Sequence, residues 1–78
     1  MTWNYRILAQ KNSDDNINYA VHEVYYNENK EIEYWSESPI TLHAESSEEL
    51  IMMKDRYLLA FTKPILNEEN LKQQLQNK

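Results

Sequence analysis

The 78-residue chain contains no cysteine and no glycine. Without cysteine there is no disulfide, no thiol nucleophile and no thiolate zinc site. The missing glycine is the rarer feature, since average usage of about 7% would place roughly five in a chain of this length. It excludes a phosphate-cradling glycine loop, the dinucleotide-binding fingerprint and the G-x-S-x-G nucleophile elbow. Turns must then be made by Asn, Asp and Ser, and nine asparagines are present for the purpose. No apolar run approaches the ~20 residues of a membrane-spanning helix, and no signal-peptide pattern opens the chain, because Asn4 and Arg6 interrupt it. These absences point to a soluble, cytoplasmic protein that binds no cofactor and no metal.

What is present suffices for one small domain spanning residues 1–78. Hydrophobic residues make up 41% of the chain and include six Tyr, two Trp and one Phe, enough apolar material to fold. A chain this short buries only roughly 60% of the surface its unfolded form exposes, so its stability is modest or is helped by self-association. The net charge of −5 is uneven. Residues 1–49 hold ten acids against Arg6, Lys11 and Lys30, whereas residues 50–78 carry a small basic excess. An acidic half argues against direct nucleic-acid binding, which rests on several Lys or Arg contacts to phosphate. It suits a basic protein partner.

Period-two alternation of Trp3, Tyr5, Ile7 and Ala9 marks a strand over residues 3–11. Asn12–Asn16 is a polar turn, and residues 17–26, rich in Ile, Val and Tyr, form a second strand. Asn27–Lys30 is a hairpin loop leading to a third strand over 31–37. The register of this hairpin is open. A four-residue loop sets Tyr25 opposite Ile32, a five-residue loop with a bulge sets Val24 there, and the two choices exchange the faces of strand two. After Pro39 the chain is extended until Ser46, where Ser46 and Glu49 form a capping box. Leu50, Met53, Tyr57, Leu58 and Phe61 then mark one stripe of a helix that ends at Lys63-Pro64. Asn67 is placed to cap a short tail helix over 67–78, which is expected to fray. The fold class is α+β: a three-stranded antiparallel meander covered on one face by one helix, with a short C-terminal helix.

The run His22-Glu23-Val24-Tyr25-Tyr26, followed by Trp35, Pro39 and a helix with a Ser–Glu cap, resembles a family of short bacterial proteins of uncharacterised function. That likeness covers residues 3–66 and implies no activity. More loosely, the β-β-β-α order with its capped helix over 47–61 is similar to the HicB-type antitoxin domain, a partial RNase H-like fold. Such a resemblance implies binding and neutralisation of a small RNA-cleaving toxin. The chain departs from that pattern in lacking a glycine-containing third-strand segment and an obvious DNA-binding module.

Candidate sites follow from the pattern. His22 and His43 are the only imidazoles, and His22 and Glu23 point to opposite faces of a strand, so they cannot chelate one ion together. Both are expected to be structural or surface histidines. Glu31 and Glu33 share a strand face and have the chemistry of an acid–base pair, but a sheet under a single helix offers little cavity, so no enzyme activity is expected. In an unbroken strand Glu31, Glu33, Trp35 and Glu37 fall on one side, opposite Ile32 and Tyr34. An aromatic anchor ringed by charge suits an interface; the alternative is a solvated acidic face on which Trp35 packs across-strand. On the helix, Met52 and Leu59 flank Arg56 on the side away from the Leu50 stripe, a second contact surface or a seat for the tail. Two functions result: a small acidic protein-binding module, such as an inhibitor or antitoxin-like neutraliser of a basic nucleic-acid-handling protein, or a structural module that forms homodimers or larger homo-oligomers.

Overall fold

The computed structural model describes residues 2–76. Met1, Asn77 and Lys78, which include the last two residues of the expected tail helix, lie outside the described residues. Two long strands, β1 (Thr2–Lys11) and β2 (Ile17–Tyr26), pair antiparallel in unbroken register from Thr2↔Tyr26 to Lys11↔Ile17. A short β3 (Ile32–Trp35) joins the far side of β2. The first helix, α1 (Ser47–Leu59), runs into a 3-10 turn (Ala60–Thr62). A two-residue β4 (Leu66–Asn67) and a second helix, α2 (Glu68–Gln76), follow. The sheet order is β3-β2-β1-β4, with β4 parallel to β1, so the sheet is mixed.

The two hairpin loops show how the chain turns without glycine. In the first, the Asn12 side-chain oxygen accepts from the amides of Asp14 (2.9 Å) and Asn16 (3.0 Å), and Asp15 takes φ 65°. The second repeats the device: Asn27 accepts from Asn29 (2.9 Å) and Glu31 (3.0 Å), and Lys30 takes φ 63°. An asparagine caps its own loop in each, and a non-glycine residue occupies the left-handed region three positions later.

This second loop settles the register, and neither reading from the sequence survives. Tyr26 pairs with Ile32, a bulge follows, and then Tyr25 pairs with Tyr34 and Val24 with Trp35. The bulge inserts Glu33 as an extra residue, so Ile32 and Tyr34 leave the strand on opposite faces. Trp35 joins Ile32, Tyr26, Val24, His22 and Leu8 on one face. Tyr34 joins Tyr25, Trp3, Tyr5 and Val21 on the other.

Each face has its own helix, which corrects the expected single covering helix. On one face, Tyr5, Val21 and Ala60 form a buried cluster with Ile7, Ile40 and Tyr57 packed around it. On the other, Leu8, His22 and Val24 are fully buried and Leu71 of α2 is buried too. The chain passes between the faces around the β1 edge, where the Arg6 guanidinium donates to the Pro64 carbonyl at 2.7 Å and to the Tyr26 hydroxyl at 3.2 Å. Tyr26 donates onward to Asn4 at 2.9 Å. This tie holds Leu66 beside Leu8, where β4 forms.

Both helices start where the capping chemistry places them. Ser46, with φ −134° and ψ 156°, accepts from the Glu49 amide at 3.2 Å, and Asn67 accepts from the Asn70 amide at 3.2 Å. Among the described residues, no helix is long and apolar enough to cross a membrane. The stripe read for α1 needs correction. None of its thirteen residues is buried; Met53 and Tyr57 are half-buried and only Ala60, just beyond it, packs tightly. Leu50, Leu58 and Phe61 stay exposed. Apolar residues surround this helix, so the periodicity is nearly flat, and the small Ala60 selects the line of closest approach.

Candidate functional site

Three places on the molecule gather chemistry. The first lies where β3 meets α2. Gln10, Glu33, Tyr34, Trp35, Glu37, Glu68, Lys72 and Leu75 line an open cavity of about 400 Å³. The indole of Trp35 donates to Glu68 Oε2 at 2.9 Å, and Gln10 Nε2 donates to the same oxygen at 2.9 Å. The ammonium of Lys72 lies 3.5 Å from the other carboxylate oxygen. Burial pushes the Glu68 carboxyl up, but the hydrogen bonds from Gln10 and Trp35, with Lys72 beside them, outweigh burial and hold it below its ordinary value. Glu68 is therefore ionised at neutral pH.

Glu33 and Glu37 sit exposed on the rim of this cavity. Of the residues singled out on strand three, the fold thus brings Glu33, Trp35 and Glu37 together. Glu31 is turned away to the wall of a separate cavity of about 550 Å³ with Tyr26, Ile32, Leu71 and Leu75. Trp35 is not displayed as the unbroken alternation predicted. It is half-buried on the α2 face, a wall of the site, because the bulge at Glu33 reverses the alternation. Sequence reasoning missed Glu68 and Gln10. A half-buried indole needs an acceptor, but nothing local indicates a partner 33 residues away.

The second place is a shallow groove of about 270 Å³ between α1 and the sheet, lined by Trp3, Tyr5, Glu49, Met52, Met53 and Arg56. Arg56 does not project from the helix but sits 5.0 Å from the centroid of Trp3. Trp3 leads an aromatic row across three strands. Tyr25 lies 6.4 Å from it, and Tyr34 stacks on Tyr25 at 4.5 Å. Tyr25 donates a short hydrogen bond to Glu23, which with some desolvation raises its hydroxyl to about 12. Tyr5 is also raised, by burial first and by Glu23 second, with Arg56 opposing.

The third is the outer face of α1, where Ile51 and Leu58 are each more than half exposed. Met52 and Arg56 frame the groove, and Arg56 with Leu59 and Lys63 lines the recess that adjoins it.

The histidines are apart. His22 is fully buried and its Nδ1 lies 2.9 Å from the Ser36 carbonyl; a carbonyl can only accept, so Nδ1 carries the proton. His43 is exposed. Among the described residues, no group of three or more His, Asp or Glu is placed to hold a metal ion. No protein-family model, curated protein or solved structure matches the chain.

Proposed function

We propose that the protein is a small non-catalytic binding module that docks a basic protein partner at the cavity between β3 and α2. The observation that carries this reading is the convergence of Glu33, Glu37 and the ionised Glu68 around the Trp35 wall, with Lys72 the one cation lining it among the described residues. Three carboxylates beside one ammonium leave the site negative. A guanidinium or ammonium entering it meets carboxylates at the rim and an aromatic face, the combination that favours Arg above all. The uneven charge of the chain steers such a partner toward this half and makes association sensitive to salt. An inhibitor or antitoxin-like neutraliser of a basic nucleic-acid-handling protein is one form of this function.

Selection from a displayed random-peptide library tests it. The enriched peptides carry Arg or Lys next to an apolar residue, bind more weakly as salt rises, and lose most of their affinity for Glu33→Gln/Glu37→Gln. Both side chains are exposed, so that variant keeps its fold. A library that yields only neutral peptides, or none, contradicts the proposal.

A further inference from the structure

The chain exposes more surface than a monomer of its mass should. A monomeric protein of 9.4 kDa is expected to expose roughly 5,000 Å², whereas this one exposes 5960 Å². Its radius of gyration is 13.5 Å, against roughly 11.5 Å for a compact domain of this length. The excess, about 950 Å², is close to the ~800 Å² that each partner contributes to a standard protein interface. Much of the apolar exposure falls on one element. Leu50, Ile51, Leu58 and Phe61 of the α1 segment are 40%, 56%, 54% and 57% exposed.

The order of residues along α1 identifies what covers them. At about 100° per residue, Ile51 and Leu58 project within about 20° of each other, and Ile51 points roughly 180° away from Ala60, which is buried against the sheet. The outward line is thus Ile51 and Leu58, with Lys54 and Asp55 on either side between them. Those two charges lie 3.8 Å apart, so the middle of the stripe carries no net charge. Over the whole of α1, Glu48, Glu49 and Asp55 stand against Lys54 and Arg56, so most of the net charge of −5 lies outside this helix.

We infer that two copies of this chain pair through the outer faces of α1, antiparallel, about a two-fold axis between residues 54 and 55. A two-fold contact must be self-complementary, and this order of residues is. Ile51 of one copy meets Leu58 of the other on both sides of the axis, and Leu50 and Phe61, which share a flank, face one another across it. Antiparallel packing also opposes the two helix dipoles, the favourable arrangement. The four side chains, each about half exposed, leave roughly 400 Å² per copy, about half of what each partner gives a standard interface. The pair is therefore weak, in the micromolar range. It leaves the β3–α2 cavity untouched, so it stands or falls separately from the docking function.

Sedimentation of the full chain across low to high micromolar concentration tests it. The expected result is a monomer–dimer equilibrium that Ile51→Glu or Leu58→Glu weakens by at least about a hundredfold, because each places an unpaired charge in the contact. Both side chains are already exposed, so the far-UV circular dichroism of the diluted variants stays that of the parent. Since the chain has no cysteine, single substitutions report the geometry. Asp55→Cys oxidises readily to a disulfide-linked dimer, whereas Ser47→Cys and Thr62→Cys do not. A strict monomer at every concentration overturns the inference. So does a dimer indifferent to Ile51→Glu, or equal cross-linking at all three positions, which is the signature of parallel helices.

Discussion

Removing the Glu68 carboxylate should loosen the attachment of α2 to the sheet. Glu68→Ala deletes the acceptor for Trp35 Nε1 and Gln10 Nε2, both at 2.9 Å, and the ion pair with Lys72. Hydrogen bonds to a charged acceptor are worth about 1.5–3 kcal/mol each when the donor is left buried. Both donors here are only partly buried and regain some solvation, and Lys72 is exposed, so its pairing adds little. The combined loss is about 2–3 kcal/mol, against a total stability of roughly 4–12 kcal/mol for a domain of this size. Urea unfolding followed by tryptophan fluorescence should show the midpoint falling by about 2 M, and the melting temperature should fall by at least about 10 °C. The pH dependence adds a second check. The folded state holds the Glu68 carboxyl below its ordinary 4.5, so the contribution is complete above that value and is lost as pH falls through the lower folded one. The gap between the parent and Glu68→Ala should close toward acid. A midpoint that moves by less than about 0.5 M at neutral pH, or a gap that widens on acidification, would refute the reasoning.

Three further perturbations have definite outcomes. Lys30→Gly relieves a long side chain held at φ 63° and should raise stability by up to about 1 kcal/mol in thermal unfolding. Asp15→Gly should gain less, since Asp tolerates that conformation better. Ser46→Ala removes the cap of α1 and should cost about 1 kcal/mol, read as lost helical circular dichroism. Tyr25 should ionise near pH 12 in an absorbance titration, and Glu23→Gln should bring it down toward 10. Because the folded value lies above the ordinary one, whatever stability this bond contributes is present below pH 10 and lost as pH rises through 12.

Much of the local structure was legible from residue order. The alternation from Trp3 to Ala9, the two asparagine-led loops and the Ser46/Glu49 cap each state a short-range preference, and each appears where the sequence puts it. What escaped depends on distance. The bulge at Glu33 leaves no compositional mark, yet it reverses the faces of Ile32 and Tyr34 and so moves Trp35 from display to a wall. β4 is two residues long, too short for any periodicity, and pairs with β1 just past the Pro64 carbonyl that Arg6 binds. The placement of α2 on the second face follows from that same crossing. In the candidate site, Glu33, Trp35 and Glu37 were visible as a cluster. Glu68, which completes it, was not.

The chain departs from ordinary domain design on the α1 side. A helix with no buried residue receives little support from the sheet, and most helical stability in proteins comes from packing. Pairing between copies would supply that support on one side, while the cavity under α2 stays open on the other.

The direct test of the docking function is a nuclear magnetic resonance titration of the labelled protein with a short peptide carrying arginines and apolar flanks. The Trp35 indole N–H bonds Glu68 inside the cavity, whereas Trp3 lies on the opposite face, so the two indole signals report the two sides independently. The Trp35 signal and the amides of Glu33 and Glu37 should shift, added salt should reverse the shifts, and the Trp3 signal should stay in place. Movement of the Trp3 signal alone, or no movement at saturating peptide, would contradict the docking function.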